Sequence, residues 1–154
     1  MEGKKQAGDR LPCSIQLIPT NFQKIAFCDG SSYWSDHHEE CYVQYAAWSA
    51  WDCTFVCKRE AVKRMEKSEQ IKYAELKAFK LALTFSPRPE LIYTDSMSVV
   101  KQYPIVGSSR TVWCPRNRNK IADFLASGKA GAGYIVFNAT LPVRNWLFLH
   151  YISN

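Results

Sequence analysis

Two short segments decide the fold: Lys24-Ile25-Ala26-Phe27-Cys28-Asp29-Gly30 and Leu91-Ile92-Tyr93-Thr94-Asp95-Ser96. In the first, Ile25, Phe27 and Asp29 alternate with Lys24, Ala26 and Cys28, the period-two pattern of a strand that ends at Asp29-Gly30. The second is a short apolar run that ends at Asp95. Each puts an aspartate at the carboxyl end of a strand, the rim where open α/β sheets bind ligands. Between them, Lys63 to Phe85 carries a helical period, with Ser68 as N-cap of its main part and Pro87 and Pro89 as its stop. Were the two strands parallel neighbours, this helix would be the right-handed crossover between them.

Working outward, Tyr42 to Trp51 and Cys53 to Cys57 read as two more strands, which with the first form an antiparallel meander. Residues 96–103 make about two helical turns before Pro104. Thr111 to Trp113 is a fifth strand, and Asn119 to Ser127 a short helix closed by Gly128. The expected order is β-β-β-α-β-(α)-β-α, a mixed α/β domain with helices packed on a five-stranded sheet. Residues 1–20 read as a loose lead-in, 21–128 as the domain, and 129–154 as a C-terminal extension: an added strand or strand pair, a rearranged strand order, or the beginning of another domain.

The helix between the aspartates carries a chemical signal. At 100° per residue, Ile71, Glu75, Ala78, Phe79 and Ala82 share one face, and Lys77, Lys80 and Thr84 the other. A carboxylate within an apolar stripe is costly unless a cation or donor meets it. An arginine-paired core glutamate, or a helix turned slightly from this setting, is the structural alternative. Asp29-Gly30 is also a common turn pair, Asp95-Ser96 a helix cap, and Asp123 a first-turn acid that favours the helix dipole. Taken together, the acids point to one rim, where they repel one another unless divalent cations sit between them. Oxygen-only ligands select Mg2+ or Mn2+, and two such ions are a known device for phosphodiester hydrolysis.

These residues resemble a family. Phe27-Cys28-Asp29-Gly30-Ser31-Ser32, Ala74-Glu75-Leu76-x-Ala78, Ile92-Tyr93-Thr94-Asp95-Ser96 and the N-x-x-A-D-x-L-A run from Asn119 to Ala126 are similar to the ribonuclease H domains of retroelement and retroviral reverse transcriptases. The resemblance implies a ribonuclease H-like fold over roughly residues 23–127. It implies Asp29, Glu75, Asp95 and Asp123 as catalytic ligands of two Mg2+ or Mn2+ ions, cutting the RNA strand of an RNA–DNA hybrid. It further implies a polymerase domain of the same polyprotein as partner. Integrases and transposases carry a D, D, E order and fit less well. The chain departs from the pattern in having no histidine in Pro115 to Arg118 and in the short span from Asp95 to Arg110. The glycine-led stretch Gly131-Ala132-Gly133-Tyr134-Ile135-Val136-Phe137 resembles the family's second strand but stands at the other end. A module that binds nucleic acid or scaffolds an assembly without cutting is therefore the alternative.

Gly30, Ser31 and Ser96 are the expected contacts that tell RNA from DNA, and Arg110, Arg116 and Arg118 those that position a strand. Lys58, Arg59, Lys63, Arg64 and Lys67 form the densest basic run, a phosphate track or the wet side of a helix start. Trp48, Trp51 and Trp113 are core or stacking residues. His37-His38 with Glu39 and Glu40 read as a solvated loop.

Composition bounds these expectations. The 154 residues are 47% hydrophobic and 14% aromatic, enough for one core and too apolar for a disordered tail. Six cysteines form no C-x-x-C pair, which suits a reduced compartment. No signal peptide is visible, and Pro142, Arg144 and Asn145 interrupt the apolar stretch 134–151, so neither secretion nor a membrane span is expected. The sequon at Asn138–Thr140 then means little, and the expected setting is cytoplasm, nucleus or virion. The net charge of +6 admits a polyanionic partner.

Overall fold

A computed structural model describes residues 24–34, 40–50 and 54–127, together with the backbone of 135–138. The lead-in at 1–20, the cysteines Cys13 and Cys53, the pair His37-His38 with Glu39, Trp51 and the glycines of 131–133 lie outside the described residues. So does Thr140 of the sequon.

Strand β1 (Ile25–Trp34) pairs antiparallel with β2 (Cys41–Ser49), and β2 with β3 (Thr54–Val62). Helix α1 (Lys67–Ala82) crosses the sheet and returns the chain as β4 (Leu91–Thr94), parallel to β1. After α2 (Met97–Gln102), the two-residue β5 (Ile105–Val106) turns into β6 (Ser109–Trp113), which is parallel to β4. A 3-10 turn at Arg116–Arg118 leads to α3 (Lys120–Ala126), and β7 (Ile135–Asn138) closes the series. Among the described residues the order across the sheet is β5-β6-β4-β1-β2-β3-β7. The meander, the parallel pair and the crossover helix are thus as expected. The sheet is wider than five strands because β5 adds one edge and β7, antiparallel to β3, adds the other.

Three local expectations are corrected. Strand β3 does not stop at Cys57 but runs to Val62, because β2 is long enough to pair with all of it, from Ser49↔Thr54 to Cys41↔Val62. Lys58 and Arg59 therefore lie on a strand, and Lys63 and Arg64 in the link to α1. Helix α1 consequently begins at Lys67, with Glu66 at its N-cap and Ser68 inside the first turn.

The helix is also rotated from the expected setting. Its buried residues are Gln70, Ala74, Ala78, Phe79 and Ala82, whereas Ile71 is 41% exposed. Two contacts set this rotation. Gly30 has no Cβ, and one built there would lie 2.4 Å from the carbonyl carbon of Ala74 and 2.7 Å from the nitrogen of Glu75. The α1 backbone thus rests directly on β1. One turn earlier, the buried Gln70 accepts from Trp34 Nε1 (2.9 Å) and donates from Nε2 to the Tyr33 carbonyl (3.2 Å). A buried amide with both ends satisfied pins a helix as firmly as an apolar contact.

Alanines on both surfaces suit this close approach: Ala26 and Ala47 on the sheet meet Ala74, Ala78 and Ala82, with Phe79, Ile92 and Val99 filling the gaps. On the opposite face α3 packs across β1 and β2 through Ile121, Phe124 and Leu125. A row of stacked rings, Tyr93, Phe27, Trp48 and Phe55, crosses four strands. Trp48 is therefore a core residue, while Trp113 is 47% exposed at the end of β6.

Candidate active site

The register Phe27↔Tyr93, continued two residues, sets Asp29 level with Asp95, the residue just past the end of β4. Helix α1, seated on Gly30, delivers Glu75 to the same point. Asp29, Glu75 and Asp95 each offer one carboxylate oxygen, all within 4.8 Å of one another. Asp123 comes from α3 on the other face, and its carboxyl hydrogen-bonds that of Asp29. Four acids, from β1, from the residue after β4 and from two helices, thus meet at the carboxyl rim of the sheet. Asp29, Gly30, Ser31, Ser32, Glu75, Asp95, Arg116 and Asp123 line one cleft of about 270 Å3, with Lys67 and Ile71 at its side.

The acids are held in an unfavourable electrostatic state. Burial pushes the Asp29 carboxyl well above its ordinary range, with the neighbouring Asp95 charge and the bond to Asp123 adding to the effect. Glu75 is pushed up to about 7, first by burial and then by Asp95, although a hydrogen bond from Ser96 opposes the shift. Asp95 Oδ1 is buried without a hydrogen-bond partner. A buried carboxylate oxygen left bare is costly, and a cation is the group that removes the cost. The donor set therefore fits a hard divalent ion such as Mg2+ or Mn2+. The adjacent Cys28 and Cys114 thiols are raised by burial and by these same acids, so they stay protonated beside an all-oxygen cluster.

Supports hold α3 at both ends, and two of them escaped the sequence reading. Asn119, fully buried, donates from Nδ2 to the Cys28 carbonyl (2.8 Å), while its own carbonyl receives the Asp123 N–H (3.0 Å). At the far end, the Ser31 and Tyr33 hydroxyls donate to the carbonyls of Ala126 and Ser127, and Gln44 Nε2 donates to that of Leu125. Asp123 is thereby fixed over Asp29. The spacing of Asn119 one turn before Asp123 was the available signal for the first support. Tyr33 and Gln44 gave none, because their partners stand 94 and 81 residues away along the chain.

The expected substrate contacts divide. Gly30, Ser31 and Arg116 line the cleft, and Arg116 reaches Asp123 at 3.7 Å in an exposed pair. Ser96 is only 5% exposed and does not line the cleft; its Oγ accepts the Val99 N–H, caps α2 and hydrogen-bonds Glu75. Arg110 pairs with the level of Leu91, at the opposite end of β4 from the acids. Arg118 is exposed in the 3-10 turn and does not line the cleft.

A parallel β1/β4 pair with a helical crossover and a meander beside it give the chain a ribonuclease H-like fold, with the four acids at the shared rim. No family model matches the chain, and no curated protein matches it. Among solved structures, it is similar to the N-terminal ribonuclease H domain of a Mycobacterium tuberculosis protein, with 15% identity and a TM-score of 0.44 over 70% of this chain and 94% of that one. It is similar to a ribonuclease H of the archaeon Halobacterium salinarum, with 19% identity and a TM-score of 0.43 over 69% and 96%. It is also similar to a foamy viral protease-reverse transcriptase solved with double-stranded DNA, with 15% identity and a TM-score of 0.47 over 74% and 98%. Among the described residues, no helix is long and apolar enough to cross a membrane.

Proposed function

We propose that the domain is a metal-dependent endonuclease that hydrolyses the RNA strand of RNA–DNA hybrids. We further propose that it acts beside a polymerase domain in a viral or retroelement polyprotein, inside a cell or virion. One observation carries the first reading: carboxylate oxygens of Asp29, Glu75 and Asp95 lie within 4.8 Å of one another, and one Asp95 oxygen is buried without a hydrogen-bond partner. Asp29, Glu75 and Asp95 would hold the ions, with Asp123 completing the set from α3. Two divalent cations in such a site supply an activated water and charge stabilisation of the leaving 3′ oxygen. The chain's own residues do the rest. Gly30, Ser31 and Ser32 form the wall that a ribose would meet, where a 2′-hydroxyl is the distinguishing group. Arg116 stands at the mouth, its guanidinium free to move from Asp123 to a phosphate, because an exposed pair is worth little.

The test is cleavage of labelled RNA–DNA hybrid, duplex DNA and duplex RNA with Mg2+, Mn2+ or EDTA. Cutting of the hybrid's RNA strand with either ion is expected, with Asp95→Asn slowing it at least about a thousandfold, roughly 4 kcal/mol of barrier. Cutting in EDTA, or by the variant at full rate, overturns the proposal. The turn Arg116–Arg118 carries no histidine, which favours a second reading, a binding or scaffolding module. Hybrid binding without cutting of any substrate would select it.

A further inference from the structure

Four large apolar side chains are exposed among the described residues, Ile71, Met97, Ile105 and Trp113, and three of them stand at the carboxyl rim of the sheet. Ile71 lines the carboxylate cleft itself. Met97 opens α2 two residues after Asp95, and Trp113 ends β6 level with Thr94, the residue before Asp95. The sheet order β6-β4-β1 sets Trp113 beyond Asp95, on the side of the cleft away from Gly30, Ser31 and Ser32. Trp113 also differs from the rings of the core. Tyr93, Phe27, Trp48 and Phe55 stack on one another, whereas among the described residues no ring stacks on Trp113, which stays half-exposed. An indole offers a large flat apolar surface, and it gains most when a flat partner covers it.

We propose that Trp113 is a stacking platform for an unpaired base of the strand that passes over the carboxylates, so that the site takes its strand where a duplex gives way to single strand. The inference rests on the nucleolytic reading of the cleft. Neighbouring β-strands lie about 4.8 Å apart, so a phosphate held at Asp95 leaves the next nucleotide over the end of β6. Arg116, three residues beyond Trp113, lines the cleft and offers a cation to the phosphate between the two nucleotides. An aromatic face beside a cationic track is the combination that holds single strands, and it accepts any base because every base has a π face. Inside a duplex both faces of a base are covered by its neighbours, so the indole selects a base that has left the stack. Met97, at the same rim, adds a polarizable thioether that suits a ring edge.

The experiment compares blunt RNA–DNA hybrid with the same hybrid carrying unpaired nucleotides at the 5′ or the 3′ end of its RNA strand. Binding of each labelled form to the full chain is followed by anisotropy in EDTA, where the metal-dependent step is blocked. Wild type should hold one tailed form more tightly than blunt hybrid. Trp113→Leu, which keeps an apolar side chain and removes the flat face, should lower affinity for that form about tenfold and leave the blunt form unchanged. Trp113→Phe should restore most of the loss, and failure to do so overturns stacking as the contact. The dependence of affinity on salt should match wild type in both variants, since no charge is removed. Equal binding of tailed and blunt forms by wild type, or a preference that survives in Trp113→Leu, overturns the platform while leaving the cleft untouched. Cleavage surviving in Asp95→Asn overturns the cleft reading instead, so the two failures are distinguishable. A wild-type dimer in sedimentation that Trp113→Leu makes monomeric would overturn nucleic acid as the occupant in favour of a second copy of the chain.

Discussion

The two flanks of α1 carry two glutamate settings with opposite electrostatics. On one, Glu75 is buried against Asp95 and Asp29 and is pushed up to about 7. On the other, burial would raise Glu60, yet donors from Tyr73 and Tyr45 and the Lys77 charge together hold it below its ordinary 4.5. The Glu60 side is a closed network that ties α1 to the meander. The Glu75 side is a network left open, with an oxygen of Asp95 unsatisfied. Stability accounts for the first arrangement. A bound cation or a proton would relieve the second, since like charges gathered in a dry place weaken the fold that holds them.

The sharpest way to break this contrast is to lift α1 off both flanks at once. Gly30→Ala would place a methyl group 2.4 Å from backbone that cannot rotate away. A loss of about 3 kcal/mol is expected in thermal or denaturant unfolding, at the upper end for overpacking. Unchanged stability would show that the close approach at Gly30 does not set the helix.

The next effect separates the flanks by metal. Saturating Mn2+ at about a hundredfold its Kd should stabilise wild type by roughly 2.7 kcal/mol. Asp29→Asn and Glu75→Gln should lose most of that gain while melting higher than wild type in EDTA. If both melt lower in EDTA and respond fully to Mn2+, the acids are ordinary structural residues. The pH dependence follows the same sign. A raised folded-state carboxyl imposes a penalty that is fully present above its folded value and relieved as pH falls. Metal-free wild type should therefore gain stability from Glu75 between pH 7 and 4.5. Glu60 acts the other way, because its contribution is present above 4.5 and is lost at lower pH.

The smallest effect sharpens the comparison. Glu60→Gln should cost only about 1 kcal/mol, since the network is partly exposed. Its Mn2+ response should match that of wild type. A reduced response would mean that the clamp on α1 also positions Glu75.

Much of this was legible in the chain because it is local. Asp29 and Asp95 end apolar runs, Glu75 stands on a helix with an apolar stripe, and Asn119 opens the helix that carries Asp123. Each of these patterns follows from backbone periodicity and needs no partner. The exact face of α1 was not legible. Ile71 looked buried and is exposed, because the rotation is decided by Gly30 and by the Trp34–Gln70–Tyr33 bonds across the sheet. The settings of Ser96 and Arg110 were likewise not legible, since a cap and a strand register settle where those residues lie.

The sequence by itself thus determined the meander, the crossover helix, the two aspartate-ended segments and which acids are candidates, because hydrophobic period and residue chemistry are properties of short segments. Only the tertiary structure decided that β1 and β4 lie side by side in a register that levels Asp29 with Asp95. It also decided that one flank of α1 is left acidic and open while the other is saturated. Those outcomes depend on contacts between residues far apart in the chain, and on a single missing Cβ whose consequence appears only when a helix is laid upon it.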